Sequence, residues 1–231
     1  MEAQPAPKSV DSIPHDDWVS AVSCVDELIL LTGCYDGIVR ILNTSGTTIS
    51  EAKHNTPIVD LSTFKNKNES ISFVTATREQ NAFIWNYKNK KCQLNSVLKG
   101  HSSNIDAVDF NPTGNLVCTG SQDKLIKLWD LNGKRKEEVE EDSNEPKKKK
   151  TKTHDLKKLE IEPIGTLEGH KSGVTSIIWK NGENILLSGS YDHTIRLWDV
   201  ARATPISSLV FKTNFFFFRF SKPSLIILEW K

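Results

Sequence analysis

The 231-residue chain lacks several features that mark whole classes of protein. Its charge is balanced, with 30 Lys and Arg against 29 Asp and Glu, which argues against binding of nucleic acid by the molecule as a whole. The opening stretch "MEAQPAPKSVDSIPHDDW" has no apolar core of the kind a secretory signal needs, so we interpret residues 1–14 as a linker. Neither apolar run near the end approaches the about 20 residues that a membrane span requires.

Catalytic and metal-binding signatures are also missing. The four cysteines form no C-x-x-C pair, and we expect them to be reduced thiols of a cytosolic or nuclear protein rather than zinc ligands. No P-loop, zinc signature or G-x-S-x-G nucleophile motif occurs. The sequence therefore predicts neither an enzyme nor a cofactor.

What the chain does have is an internal repeat. The stretches "GSQDKLIKLWD" (120–130) and "GSYDHTIRLWD" (189–199) share seven letters, and "GH" precedes both at the same distance. Two weaker copies end at Asn43 and Asn86. The anchors Leu42, Trp85 and Trp129 are 43 and 44 residues apart, and Trp198 follows 69 residues later, which indicates an insertion of about 25 residues.

Each copy contains short β-branched apolar runs separated by turn signals. In the last copy these are "VTSIIW", "ENILLSGS" and "TIRLWDV", and "PISSLVF" supplies a fourth run. No amphipathic stretch of ten helical residues appears in the repeats. A four-stranded unit with two apolar faces must stack on its neighbours, so we predict an all-β stack of similar sheets.

The "GH" and "WD" marks and the period resemble those of WD-repeat proteins. This resemblance implies an all-β, WD-repeat β-propeller, partial, with about four four-stranded blades in an open arc over residues 15–211. The repeats would span about 15–43, 54–86, 100–130 and 169–199.

The resemblance also implies a buried hydrogen-bonded tetrad in each blade. Its expected members in the two late repeats are His101, Ser121, Asp123 and Trp129, and His170, Ser190, Asp192 and Trp198. Degenerate tetrads would contain His15 and Asp36 in the first repeat, and His54, Thr77 and Trp85 in the second. His, Ser and Asp also form hydrolase triads, but an active site is made once whereas this set recurs, which favours a structural role.

Residues 134–160 form a charged insertion that we expect to be disordered, because it cannot bury enough apolar surface. Its lysine run is typical of a nuclear-import signal, the alternatives being a solvated charge run or a weak, salt-sensitive RNA contact. The candidate residues are Lys147, Lys148, Lys149, Lys150 and Lys152.

A narrower resemblance rests on "HDDWVSAV", "TGCYDG", the charged insertion and "GSYDHTIRLWDV…TPISSL". These stretches are similar to the Ytm-type ribosome-biogenesis proteins. The resemblance implies a non-catalytic scaffold in the nucleus, nucleolus and nucleoplasm, acting in maturation of large-subunit precursor rRNA and 60S assembly. The implied partners are Pescadillo, a second WD-repeat protein and pre-ribosomal particles, with no membrane contact. An adaptor in a ubiquitin ligase or chromatin complex is the alternative.

The sequence departs from that family's pattern at both ends. It contains no segment resembling the family's ubiquitin-like domain and only four repeats, so we expect a truncated form. Residues 212–231, "KTNFFFFRFSKPSLIILEWK", have neither the strand and turn pattern nor the repeat marks, and are predicted to be a tail unrelated to the family.

Overall fold

The computed structural model describes residue 13 and residues 15–133, 159–180 and 184–210, together with the backbone of residues 218–221 and 224–227. All regular structure in these residues is β-strand, in four sheets and one hairpin. Nowhere in this part of the chain is there a helix of the length and apolar character that crossing a membrane would require.

The strands of each sheet follow one another from the innermost to the outermost. Sheet A contains β1 Val19–Cys24, β2 Ile29–Cys34, β3 Ile38–Asn43 and β4 Thr48–Lys53. Sheet B contains β5 Ile58–Lys65, β6 Ile71–Thr77, β7 Asn81–Lys88 and β8 Lys91–Lys99, with β12 Glu160–Ile161 beside β8. Sheet C contains β9 Ile105–Phe110, β10 Leu116–Ser121, β11 Ile126–Asp130 and β13 Gly165–Leu167. Sheet D contains β14 Val174–Trp179, β15 Ile185–Ser190, β16 Thr194–Asp199 and β17 Thr204–Val210. The hairpin is β18 Phe218–Ser221 and β19 Ser224–Ile227.

The turn between the second and third strands has the same form in sheets A, C and D. Its fourth residue has a left-handed backbone, with φ of 80° at Gly37, 74° at Lys124 and 64° at His193. The aspartate of each turn accepts the N–H of the residue two positions further on, as Asp123 does from Leu125 at 3.0 Å. Such side-chain bonds to the following backbone fix a tight turn, which aligns the two strands.

The sheets pack side by side in chain order, with one apolar core between each pair. The first core joins Leu31 and Ile41 of sheet A to Ile58 and Phe73 of sheet B. Equivalent cores lie between sheets B and C and between sheets C and D. Each sheet thus buries both faces only where it has a neighbour on each side.

A small residue on the second strand receives two aliphatic side chains of the next sheet. A Cβ placed on Gly33 would lie 2.7 Å from Ile58 Cγ2 and 3.0 Å from Leu61 Cδ2. One placed on Gly120 would lie 2.6 Å from atoms of both Val174 and Ile177. Glycine is needed at these positions because the neighbouring sheet approaches so closely.

The first and last sheets both expose apolar side chains. Val19 and Val22 occupy the register positions of Ile58 and Leu61. Unlike those buried side chains, Val19 is 43% exposed and Val22 is 52% exposed. At the other end, every residue of β17 is exposed. The architecture is therefore a partial all-β propeller whose two end sheets expose apolar side chains.

The charged insertion lies between the third and fourth strands of sheet C. β11 ends at Asp130 and its neighbour β13 begins at Gly165. Glu160, which we assigned to the disordered insertion, is instead part of β12, which pairs parallel with β8. The Lys99 ammonium lies 3.0 Å from its carboxylate. The candidate import lysines, 147–150 and 152, lie outside the described residues.

Two short stretches of the expected tail are also strands. Residues 218–221 pair antiparallel with 224–227, with Phe218 opposite Ile227. β18 lies beside β14. The sequence predicted no strand here, because its apolar run has no turn pattern like that of the repeats.

Candidate functional site

A buried hydrogen-bond network links the loop entering sheet C to its second and third strands. His101 Nδ1 lies 2.7 Å from Asp123 Oδ2, and His101 Nε2 lies 2.7 Å from the Thr119 hydroxyl. The Trp129 indole N–H donates to the same hydroxyl at 2.9 Å. Asp123 also accepts the Ser102 N–H at 3.0 Å, so one carboxylate holds both the loop and the turn.

The hydroxyl in this network belongs to Thr119 and not to Ser121, which corrects the expected tetrad. Thr119 pairs with Lys127, so the indole of Trp129, two residues further along the same face of β11, reaches it diagonally. Ser121 lies two residues beyond Thr119, about 6.6 Å further along the strand and too far from the indole. Its hydroxyl instead donates to the Ser103 carbonyl and accepts the Asp123 N–H.

Sheet D repeats this arrangement. His170 Nδ1 lies 2.9 Å from Asp192 Oδ2, and Nε2 lies 2.7 Å from the Ser188 hydroxyl. The Trp198 indole donates to Ser188 at 2.7 Å. Ser190, the expected member, bonds the Ser172 carbonyl and the Asp192 N–H instead.

A signal in the sequence could have identified the correct hydroxyl. The second strands read "LTGC", "VTAT", "CTGS" and "LSGS", and the earlier of the two candidate positions carries a hydroxyl in all four. The later position is Cys34 in the first repeat. Only the earlier position can therefore serve every sheet.

The geometry fixes the protonation of the two complete networks. Burial lowers the pKa of His101 and of His170 despite the carboxylate beside each. Burial alone would raise the pKa of Asp192, but hydrogen bonds from Thr194, the Lys171 N–H and His170 lower it to about 2. Each pair is thus a neutral imidazole donating from Nδ1 to an ionised carboxylate, with Nε2 accepting from the hydroxyl.

Sheet A has only part of the network. His15 Nε2 lies 2.8 Å from the Thr32 hydroxyl, but Nδ1 faces the Ile13 carbonyl at 3.1 Å. Asp36, its expected partner, lies 2.6 Å from the guanidinium of Arg40. The structure therefore does not join His15 to Asp36, because Arg40 on the neighbouring strand competes for the carboxylate.

Sheet B has lost more of it. His54 Nε2 lies 3.2 Å from the Thr75 hydroxyl and has no carboxylate, so burial lowers its pKa to about 4. The expected Thr77 hydroxyl and Trp85 indole N–H are buried without a hydrogen-bond partner. The Trp85 ring stacks on Phe73 at 6.2 Å instead.

These networks resemble a hydrolase triad in distances but not in access. Both imidazoles are fully buried, and Thr119 and Ser188 are fully buried as well. Each hydroxyl also accepts an indole N–H, which leaves it directed inward rather than toward a substrate. The arrangement can hold strands together, but a substrate cannot reach the hydroxyl.

A cleft of about 440 Å³ lies on the described surface where the innermost strands converge. All four sheets contribute to it. Its lining residues are Ser20, Tyr35, Val59, Asp60, Arg78, Asn104, Asp106, Gln122, Thr175, Ser176 and Tyr191. None of the hydrogen-bond networks described above uses these polar side chains as a member.

The repeats match the family model described as "WD domain, G-beta repeat" in three segments, residues 8–43, 92–130 and 161–199. The chain is a WD-repeat protein. The second matched segment begins within β8 of sheet B and ends with β11 of sheet C, so one sequence repeat of this WD-repeat protein spans two sheets.

The WD-repeat protein is similar to several ribosome biogenesis proteins. It is 33% identical to the ribosome biogenesis protein WDR12 homolog of Nematostella vectensis over 204 residues, which are 86% of this chain and 48% of the relative. It is 31% identical to that of Drosophila erecta over 231 residues, 99% of this chain and 52% of the relative. It is 34% identical to that of Ixodes scapularis over 206 residues, 87% of this chain and 48% of the relative.

These relatives confirm the resemblance to ribosome-biogenesis WD-repeat proteins. The chain spans about half the length of the curated relatives it matches. The match to the Drosophila erecta protein covers 99% of the chain and therefore reaches into residues 212–231, for which the sequence predicted no relation to the family.

Proposed function

We propose that the chain is a non-catalytic scaffold in ribosome biogenesis. The observation that carries this proposal is the similarity to WDR12 homologs, which extends over 86% to 99% of the chain. The finer role that we propose is maturation of large-subunit precursor rRNA and 60S assembly, in a complex with Pescadillo and a second WD-repeat protein.

The buried networks support a scaffold rather than a catalyst. In each of two sheets, the His, hydroxyl and Asp groups hydrogen-bond to one another and so join the strands of that sheet. A propeller supported in this way presents loops and edges to other proteins, and fold alone assigns no chemistry to it.

Affinity capture tests the role directly. The tagged chain, expressed in cells of its source, should co-purify with Pescadillo and with large-subunit precursor rRNA, but not with small-subunit precursors. A Gly120→Val variant is the matched control, since a branched side chain at Gly120 cannot fit beside Val174 and Ile177. Recovery of a cullin adaptor or of histones in place of Pescadillo would contradict the proposal and favour the adaptor alternative.

We further propose that the chain works in the nucleus and nucleolus, and that Lys147–Lys150 with Lys152 direct its import. Replacing these lysines by glutamine in a fluorescent fusion should move it from the nucleus to the cytoplasm. The matched control is glutamine at Lys88, Lys90 and Lys91, a second lysine cluster at the turn between β7 and β8. Equal nuclear signal in both variants would show that import depends on another segment or on a partner.

A further inference from the structure

The cleft at the convergence of the four sheets is built from one turn position repeated four times. Tyr35, Arg78, Gln122 and Tyr191 each follow directly after the last residue of a second strand. Repetition of a fold position places these four side chains around a common centre, yet the residue types differ. Packing alone would favour similar residues, so this variety is a feature of the cleft that the sheet architecture does not require.

A half-buried carboxylate lies in the cleft beside these residues. Asp106 lines the cleft at the point in β9 where the register with β10 shifts between Ile105 and Ala107. It accepts the Gln122 amide at 3.1 Å and 3.4 Å. Burial raises the pKa of Asp106 even though this bond and the charge of Arg78 act in the other direction. The carboxylate is therefore short of compensating positive charge.

Aromatic rings form the rim of the same cleft. Trp18 stacks on Tyr35 with ring centres 6.1 Å apart, and Trp18 is 77% exposed. The guanidinium of Arg78 lies 5.0 Å from the centre of the Tyr35 ring. Tyr191 is 41% exposed across the cleft. The rim thus already holds one cation of the chain's own against an aromatic face, and a second ring is open to solvent.

We propose that this cleft binds the cationic side chain of an extended, basic segment of a partner protein. An arginine or lysine would place its charge against Asp106 and its stem against the Tyr191 ring. Trp18, Tyr35 and Arg78 are residue types that dominate the energy of protein interfaces, and they would contact the segment on either side. A nucleic acid fits less well, because Asp60 and Asp106 would face its phosphates.

Peptide binding tests this proposal independently of the role in ribosome biogenesis. The probe is a short fluorescent Gly/Ser peptide with arginine at alternate positions, compared with the same peptide carrying citrulline, which keeps the shape of arginine without its charge. Anisotropy titrations with the whole chain should give a dissociation constant at least about tenfold lower for the arginine peptide, as expected for a charge-assisted hydrogen bond.

Variants of the cleft locate the interaction. Asp106→Asn should remove the preference for arginine over citrulline. Tyr191→Ala should weaken binding severalfold, whereas Tyr191→Phe should retain it, because the ring face and not the hydroxyl contacts the stem of the bound side chain. Asp26→Asn, a carboxylate at the turn between β1 and β2, is the control for general surface charge and should bind like the unaltered chain.

Three outcomes would overturn the proposal. One is equal binding of the arginine and citrulline peptides to the unaltered chain. Another is an unchanged preference in both Asp106→Asn and Tyr191→Ala. The third is binding of a single-stranded oligouridine that Tyr35→Ala abolishes, with no binding of the arginine peptide, which would assign the face to RNA. None of these results would alter the outcome of the Pescadillo and precursor-rRNA capture, so failure of the two proposals is distinguishable.

Discussion

The Ser188 hydroxyl accepts the Trp198 indole N–H at 2.7 Å and also lies 2.7 Å from His170 Nε2. One small side chain therefore serves two buried polar groups. Ser190, two residues later on the same strand, bonds only backbone groups. The two serines make a matched pair for measuring what the network contributes.

We predict that Ser188→Ala is more destabilising than Ser190→Ala. The first change leaves two buried polar atoms without partners and should cost about 2–6 kcal/mol, since each such atom costs about 1–3 kcal/mol. The second loses two hydrogen bonds to backbone groups, each with a net worth of about 1 kcal/mol. Urea unfolding followed by tryptophan fluorescence measures both free energies. Equal losses would show that Ser188 does not have the central position described here.

The close approach of neighbouring sheets gives a second prediction. Gly120→Ala places a Cβ 2.6 Å from atoms of Val174 and Ile177, and overpacking of this kind costs about 1–3 kcal/mol. Gly165→Ala is the control, because its Cβ would lie 3.5 Å from Leu128 Cδ1, an ordinary contact. Thermal unfolding by circular dichroism should show a lower Tm for the first variant and little change for the second. A drop in both would mean that any loss of glycine, and not the sheet contact, is responsible.

The sequence was sufficient to predict the four sheets because turn signals and β-branched runs are local. Strand assignments in the repeats need only the residues of the strand and its turn, so the strands fell close to the predicted repeats. The choice between Thr119 and Ser121 is different. Both lie on one face of β10, and within this repeat they are distinguished by the register with Trp129 on β11, while the other repeats carry a hydroxyl at every position equivalent to Thr119.

Interactions between segments that are distant in the sequence account for the other differences between the sequence prediction and the structure. His15 does not bond Asp36, because the Asp36 carboxylate forms an ion pair with the Arg40 guanidinium. β12 is two residues long, and its existence depends on the edge of β8, more than sixty residues earlier. No pattern in a charged stretch reveals such a pairing.

The exposed valines of sheet A lead to a prediction about stability. A substitution in the first sheet should cost less than the equivalent substitution in a sheet that has a neighbour on each side. Val22 and Leu61 occupy equivalent register positions, but Val22 is 52% exposed whereas Leu61 is buried between two sheets. Leu61→Ser should cost about 3–5 kcal/mol of unfolding free energy, and Val22→Ser should cost less than about 1 kcal/mol. Denaturant titrations at low protein concentration make the comparison.

The same valines should promote self-association, because apolar side chains exposed on the first sheet of the row favour contact between copies. Sedimentation velocity over a range of concentrations should show less association for the Val19→Ser, Val22→Ser double variant than for the unaltered chain. Thr48→Ala, on the outermost strand β4 of the same sheet, is the surface control. Unchanged association in the double variant would place the contact elsewhere.

His54 leads to a prediction about the stability of the folded chain at acidic pH. Its pKa in the folded chain is about 4, below the ordinary 6.5, so the unfolded chain binds the proton more readily. Stability is therefore lost as the pH falls from about 6.5 toward about 4, and between about pH 7.5 and about pH 5 this group alone should contribute a loss of about 2 kcal/mol.

His54→Phe isolates that contribution, because a phenyl ring can keep the contacts with Phe83 and Trp85 but cannot titrate. His101 and His170, whose pKa values are also lowered, act equally in both chains and cancel in the comparison. Denaturant unfolding at the two pH values should show a smaller loss in the variant. If both chains lose the same stability, His54 is not the uncompensated buried imidazole that its missing carboxylate implies, and the acid sensitivity of sheet B must come from another group.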